Sequence, residues 1–586
     1  MRKLLWTVHF LFVLLLGVSS FAAQSFDYPK IFDTTYKLMA NKDLYKALND
    51  SIPQQSEPLT QSQIVFILQN KPEYIPLLDN VLGSLAVAKD SSPETYNNFL
   101  KAIKVDLKQR AQSPDFIAQL QAYRGPDSPA VLNLPGGTPG YRALRLFVNH
   151  PRLQNPDDLN SKVLPGDDLR QVVLDFIAGS EEEIWYNVFD FDLKVIADAL
   201  KDKHKKKSVK VFGGIDAGTI AARPEVKAIY DSLRQLESSN FQTVAVNSVG
   251  LNHQKILVRD PMGPRAAVLF LSGNFTQSCI GPEGDLVNIP KAQRPSFSIP
   301  NANHALLVLG ALPAQVTKAE LRKTLEFKIR GQSQYPIGGS FKIYGEKSKD
   351  SGNTPSITLS FSPKGGNGDI NKSIIAPLIL NSTGPIEALH FAFSSKQIQD
   401  ALQQRAAKDI SEKGTFQFRS VGDTPFAMRE WSVFLSLSGL KKDLPTGKYL
   451  VDADSSILKV VGPAAVSELQ KNIRTAPAIY GERHLKLADG SSLKTTSKIH
   501  HKVFIFPENK TAILGTSFNP SENAETNNEQ VVIVQDTGIV KQARRFFMYL
   551  FKNSAKSVNE EATRRNLRAL PDTSGDDPAN TAERGD

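Results

Sequence analysis

Beyond about residue 140 the chain alternates between two apolar patterns. Short runs dense in Val, Ile, Leu and Phe occur at 144–148, 184–191, 209–212 and 241–246, and read as strands. Between them, at 167–178, 193–203 and 224–236, apolar positions recur every three or four residues, as on one face of a helix. Strands alternating with helices predict an α/β fold with a parallel or mixed sheet covered on both faces.

The pattern then repeats. Residues 357–361 read as a strand, 370–380 as a helix and 386–393 as a strand. The stretch from Phe391 to Leu402 matches that from Phe189 to Leu200 at seven of twelve positions. The chain is therefore internally duplicated. From Phe191 to His253 is 62 positions, and from Phe393 to His500 is 107, so the second copy carries about 45 extra residues, placed within 425–494. The expected organisation is a helical N-terminal region at 24–126, a first half at 127–312 that opens on a Pro/Gly-rich linker at 127–140, an irregular linker at 313–355 with one helix near 318–327, a second half at 356–552, and a polar, mostly disordered tail at 553–586.

One stretch recurs with its chemistry intact. His253 and Lys255 are two apart and face one side of a strand, followed by Ile256, Leu257 and Val258. Past a turn at Asp260-Pro261-Met262-Gly263-Pro264, a second apolar run ends at Ser272-Gly273-Asn274. In the second copy His500 and Lys502 precede Val503, Phe504 and Ile505, and the next run ends at Ser517-Phe518-Asn519. Imidazole titrates near neutrality, so two histidines can share nucleophilic and acid–base work, while lysines and asparagines hold anionic oxygens.

These paired motifs resemble the phospholipase D superfamily, whose signature is His-x-Lys, then Asp, then Gly-Ser-x-Asn, carried twice per active site. The resemblance implies two duplicated αβα sandwich halves with mixed sheets, packed about a pseudo-twofold in a monomer. It implies His253 and His500 as the catalytic pair, with Lys255, Lys502, Asn274 and Asn519 as the phosphate clamp. One histidine would form a phosphohistidine and the other would protonate the leaving alcohol, with no cofactor and no metal. Family precedent makes His253 the nucleophile. Asp260 holds the family's Asp position in the first copy, whereas Pro507, followed by Glu508 and Asn509, stands there in the second. Glu529 matches the acidic residue that orients the family's histidine. Setting 306–309 on 531–534 places His304 at the equivalent point of the first copy, which implies that His253 lacks a carboxylate partner.

Composition narrows little. The formal charge of +10 suits a phosphate-bearing or anionic partner. The basic run around His204, from Lys201 to Lys207, reads as a solvated helix end. The single cysteine, Cys279, excludes a disulfide within the chain and a Cys-rich zinc site. Residues 1–23 carry a basic start, an apolar stretch and a small-residue cleavage site, which read as a signal peptide. The resulting expectation is an exported protein, periplasmic or secreted, hydrolysing or transferring the phosphatidyl group of phospholipids, with peripheral contact to an anionic membrane surface. The alternatives are a nuclease of the same superfamily acting on nucleic acid, a non-hydrolysing lipid synthase, and a catalytically degenerate binding protein.

Overall fold

The apolar runs pair into two large mixed sheets of the same design. The computed structural model describes residues 28–52, 58–76, 78, 101, 104–121, 129–132, 134, 138–149, 166–281, 300–326, 338–347, 354–364, 369–477, 480–486, 492–554 and 556–568. The expected signal peptide lies outside these residues.

Strands are numbered from β1 (Ala130–Leu132). The first sheet contains β2 (Ala143–Val148), β3 (Glu183–Val188), β4 (Lys210–Asp216), β5 (Phe241–Val246), β6 (Lys255–Arg259), β7 (Ala267–Leu271) and β8 (His304–Leu309), in the order β2-β8-β7-β6-β3-β4-β5. Only β3, β4 and β5 run parallel, joined by helices Lys194–Lys207 and Pro224–Arg234, as a crossover requires. The second sheet contains β9 (Ser340–Tyr344), β10 (Ser356–Ser362), β11 (Ile386–His390), β12 (Phe418–Gly422), β15 (Ile473–Thr475), β18 (Lys502–Phe506), β19 (Thr511–Leu514) and β20 (Glu529–Gln535). Its order from β10 is β10-β20-β19-β18-β11-β12-β15, which repeats the first sheet strand for strand and sense for sense.

Each sheet is buried on both faces, which is why its central strands are apolar without alternation. One face of the first sheet packs Leu257, Leu269 and Leu271 on its outer helices, and one face of the second packs Phe504, Phe506 and Ile513. The opposite faces meet in a shared core, where Ile256 and Val258 belong to the same cluster as Val503 and Ile505. Helices Ala311–Glu326 and Thr537–Lys552, each following the last strand of its sheet, contribute to this middle layer. The fold is thus two duplicated αβα halves.

Several boundaries differ from the expectation. Both linkers supply strands: β1, inside the Pro/Gly-rich segment, pairs in parallel with β9, and β9 pairs with β10, extending the second sheet. These strands are short and lack a long apolar run, so their pairing partners decide them. The N-terminal helices Tyr28–Ala40 and Gln61–Asn70 are built into the shared core, with Phe32 edge-on to Phe341 at 4.9 Å. The tail is not uniformly irregular: Val558–Arg568 form a helix, and Asn566 donates to the Tyr449 carbonyl at 2.7 Å. The extra residues of the second half form two hairpins, β13 (Leu440–Lys442) with β14 (Tyr449–Val451) and β16 (Gly481–Lys486) with β17 (Ser492–Ser497), and the helical segment Ser456–Asn472, which kinks at Gly462. Among the described residues no helix is long and apolar enough to cross a membrane.

Asp260 shows how the motif strand is anchored. Its buried carboxylate accepts the backbone amides of Glu181, Glu182 and Glu183 at 2.7 to 3.0 Å. It therefore fixes the turn after β6 to the start of β3. In the second half Pro507 cannot do this, and Asn509 takes over, accepting the Thr383 amide at 2.8 Å. Asp260→Ala strands three amides at once and should lower unfolding stability by on the order of 3 kcal/mol. A urea melt in which this variant matches the wild type would show that the contacts contribute nothing.

Candidate active site

The two His-x-Lys motifs enter β6 and β18, the central strands of their sheets. His253, Lys255, Asn274, His500, Lys502, Asn519 and Glu529 are all buried. Each motif is supported by equivalent parts. Asp216 ends β4, caps the next helix through Thr219 and accepts the Asn252 amide at 3.0 Å. Asp423, just past β12, accepts the Ile499 amide at 3.1 Å. Each aspartate thereby holds the residue just before a motif histidine. Burial pushes the Asp216 carboxyl above the usual carboxylate range.

Each histidine also leans on a phenylalanine. The Phe189 ring lies 5.1 Å from His253, and the Phe391 ring 4.8 Å from His500. Lys255 and Lys502 lie 5.4 and 5.3 Å above the same two rings. Gly515 lets the asparagine loop pass close to β18, since a Cβ there would fall 2.6 Å from the Lys502 Cβ and the Phe518 carbonyl oxygen.

The halves interlock at the motifs. Asn252 bridges to Asn528, and Ile499 bridges to Ala302. Asn527 Oδ1 accepts the Leu251 amide at 2.8 Å, and Asn301 Oδ1 accepts the Lys498 amide at 2.9 Å. Each histidine consequently takes its Nδ1 partner from the opposite half. His253 Nδ1 lies 2.9 and 3.0 Å from the two carboxylate oxygens of Glu529. His500 Nδ1 lies 2.9 Å from Asn303 Oδ1.

This corrects the sequence reading. His253 has its carboxylate, and the residue equivalent to Glu529 is Asn303, one position before His304. The backbone amides of His304 and Gln530 donate to Ser272 Oγ and Ser517 Oγ, each at 2.9 Å, which pairs those two residues and fixes the offset. In a strand a shift of one residue moves a side chain to the other face. His304 accordingly turns away and meets His501, Nδ1 to Nδ1, at 3.1 Å. His501 points away from the motif face, with its ring also stacked on Phe546 at 5.1 Å.

The site is rich in cations, and its neighbours feel it. Burial, and then the Lys502 ammonium, hold the His304 imidazole down to about 3. Burial and Lys502 hold His390, opposite Lys502 across β11 and β18, well below its ordinary value. His390 therefore borders the site; it rests against the Phe504 ring at 4.4 Å. Between pH 3 and 6.5 the unfolded chain binds a proton at residue 304 that the folded chain does not. Stability from His304 is therefore complete above pH 6.5 and lost as pH falls, at up to about 1.4 kcal/mol per unit. Burial pushes the Glu525 carboxyl up to about 8, which acts in the opposite direction between 4.5 and 8. His304→Gln should therefore close on the wild type in stability as pH drops from 6 to 4. A stability gap that stays constant over that range would rule out the buried neutral imidazole.

Chemically, the arrangement offers two imidazoles with fixed Nδ1 partners, two lysines beside them, and asparagines at the ends of β7 and β19. Asn274 Oδ1 is buried with no hydrogen-bond partner among the described residues. Phe189, Phe391, Asp216, Asp423 and Asn303 were not singled out from the sequence, although both phenylalanines lie in the repeated twelve-residue segment.

No family model and no curated protein sequence matches the chain. Solved structures similar to it include phosphatidylserine synthase from Haemophilus influenzae Rd KW20, at 12% identity and a TM-score of 0.42, over 68% of this chain and 90% of that one. Others are Nuc from Salmonella typhimurium, a phospholipase D family member (17%, TM-score 0.21, 34% of this chain and 96% of that one), and NucT from Helicobacter pylori (15%, 0.22, 34% and 98%). In its duplicated sheet order and its paired His-x-Lys strands, the chain resembles the phospholipase D superfamily.

Proposed function

We propose that the protein is a phosphodiesterase that works through a phosphohistidine, with the phosphatidyl–headgroup bond of phospholipids as its target. The observation that carries this reading is the crossed pairing of His253 with Glu529 and of His500 with Asn303. It ties two histidines, far apart in the chain, to the one seam between the halves. A diester needs an attacking nucleophile, a proton for the leaving alkoxide and cations for its oxygens. His253, His500, Lys255 and Lys502 supply these, and Asn274 and Asn519 can donate to the non-bridging oxygens.

A lipid is favoured over nucleic acid by what surrounds His500. From its ring, Phe391 leads to Phe426 at 4.2 Å and on to Trp431 at 6.0 Å, whose side chain is exposed. The neighbouring insert exposes Leu444, Leu450, Val451 and Val460. Such apolar surface beside lysines fits an anionic membrane surface. The apolar start of the chain supports export to the periplasm or beyond. Product analysis on phosphatidylcholine, cardiolipin and single-stranded DNA tests the reading. Phosphatidate from the lipids is expected. Oligonucleotide products without lipid turnover would make the protein a nuclease, and no turnover of any of the three would leave it a binding protein.

A further inference from the structure

The pseudo-twofold is broken where it matters for proton transfer. Asn303 is locked in one orientation. Its Nδ2 donates to the Cys279 and Asn301 carbonyls at 2.9 and 3.1 Å, and its Oδ1 accepts from Ser272 Oγ at 3.0 Å. Its backbone amide is held by Asn149 Oδ1 at 2.6 Å. Only an acceptor therefore faces His500, so Nδ1 of His500 carries a hydrogen. On the other side of that ring, Lys502 Nζ lies 3.0 Å from Nε2. An ammonium has donors and no acceptor, so this contact requires a lone pair on Nε2. A protonated His500 would set N–H against ammonium. Its resting form is the neutral imidazole with Nε2 unprotonated.

His253 is in the opposite situation. Both oxygens of Glu529 address its Nδ1, and both side chains are fully buried. A carboxylate buried beside an imidazole favours the doubly protonated ring. Lys255, the counterpart of Lys502, directs Nζ to the His253 carbonyl oxygen at 2.7 Å.

We propose that His500 is the nucleophile and His253 the general acid, with Asn303 and Glu529 as the positioning residues that assign these roles. The proposal rests on the phosphodiesterase reading and reverses the order that family precedent suggests. In the first step the Nε2 lone pair of His500 forms the bond to phosphorus, the P–O bond to the alcohol breaks, and the Nε2 proton of His253 passes to the departing oxygen. In the second step His253 takes a proton from water, the water oxygen bonds to phosphorus, and the P–N electron pair returns to His500.

The test uses the full chain with bis(p-nitrophenyl) phosphate, whose phenolate leaves without an acid. His253→Ala should release about one equivalent of p-nitrophenolate in a burst and then stall, while His500→Ala should give none. In wild-type enzyme quenched during turnover, peptide mapping should find the phosphoryl group on His500, a measurement that does not depend on either variant folding. Phosphoryl on His253, a burst from His500→Ala, or no burst from His253→Ala would overturn the assignment. No turnover of any diester by wild type would sink the underlying reading instead.

Asn303→Asp puts a carboxylate on His500 Nδ1. The acid limb of the burst-rate profile should then move up by roughly one to three pH units. Among the described residues, Lys502 and Lys498 on the same segment, His304 on β8 and Asp423 at the Ile499 amide are titratable groups near that ring, and the variant leaves them unaltered. An unmoved profile would reduce Asn303 to a structural role.

Discussion

Replacing both histidines by alanine should slow phosphatidylcholine cleavage no more than replacing either one, and each single change should cost roughly four orders of magnitude or more. The reason is that the two rings act on the same event. One forms the bond to phosphorus, and the other supplies the proton without which an alkoxide does not leave. With either step missing the remaining ring has nothing to cooperate with, and groups that act as a unit show strongly non-additive losses. What persists is the electrostatic hold of Lys255, Lys502, Asn274 and Asn519 on the diester. Steady-state kinetics on the two single variants and the double variant check this. If the double variant were slower than the wild type by the full product of the two single losses, the rings would be working independently, and a shared centre would be excluded.

How far the sequence could be read follows from which physical signals were redundant. The halves were visible because the strand–helix alternation ran twice and because the segment from Phe189 recurred from Phe391. The motif residues were visible because His-x-Lys fixes a face of a strand, and the structure brings both faces to the seam between the sheets. What failed was register. The runs at 306–309 and 531–534 are apolar at every position because their sheets are covered on both faces, so nothing in them distinguishes one offset from the next. The resolving signal lay just upstream. Matching Asn301 to Asn527, which accept the equivalent amides of Lys498 and Leu251, puts Asn303 on Glu529. The crossing of partners between halves could not be read at all, because it depends on how two sheets dock rather than on any local spacing. The same holds for β1 and β9, strands that exist because an edge of the second sheet was there to receive them, and for Asn509, which replaces Asp260 two positions away from where the motif would place it.

Glu529→Gln should lower turnover of phosphatidylcholine by about a hundred- to ten-thousandfold, although it changes a single atom. Glu529 sits at the first position of β20 and serves a histidine 276 residues earlier in the chain. It accepts from His253 Nδ1 with both oxygens, and Asn527 Nδ2 donates to one of them at 3.2 Å. A glutamine retains one acceptor and replaces the other with a donor. If the donor faces the ring, Nδ1 must give up its hydrogen and the imidazole takes the wrong tautomer; if the acceptor faces it, the ring keeps its tautomer but loses the charge that stabilises its cation. A comparable amide-for-carboxylate change behind a catalytic histidine costs about ten-thousandfold in the serine-protease triad. In the burst that precedes hydrolysis the loss should shrink when the leaving group is p-nitrophenolate, since that departure needs no proton, and this dependence separates a proton-transfer defect from a loosened fold. The corresponding change on the other side, Asn303→Leu, removes a neutral acceptor and should cost less on the lipid, yet its loss should persist with p-nitrophenolate because it disturbs the attacking ring. If both variants lost the same factor on both substrates, Glu529 and Asn303 would be interchangeable struts, and the asymmetry between the halves would have no chemical meaning.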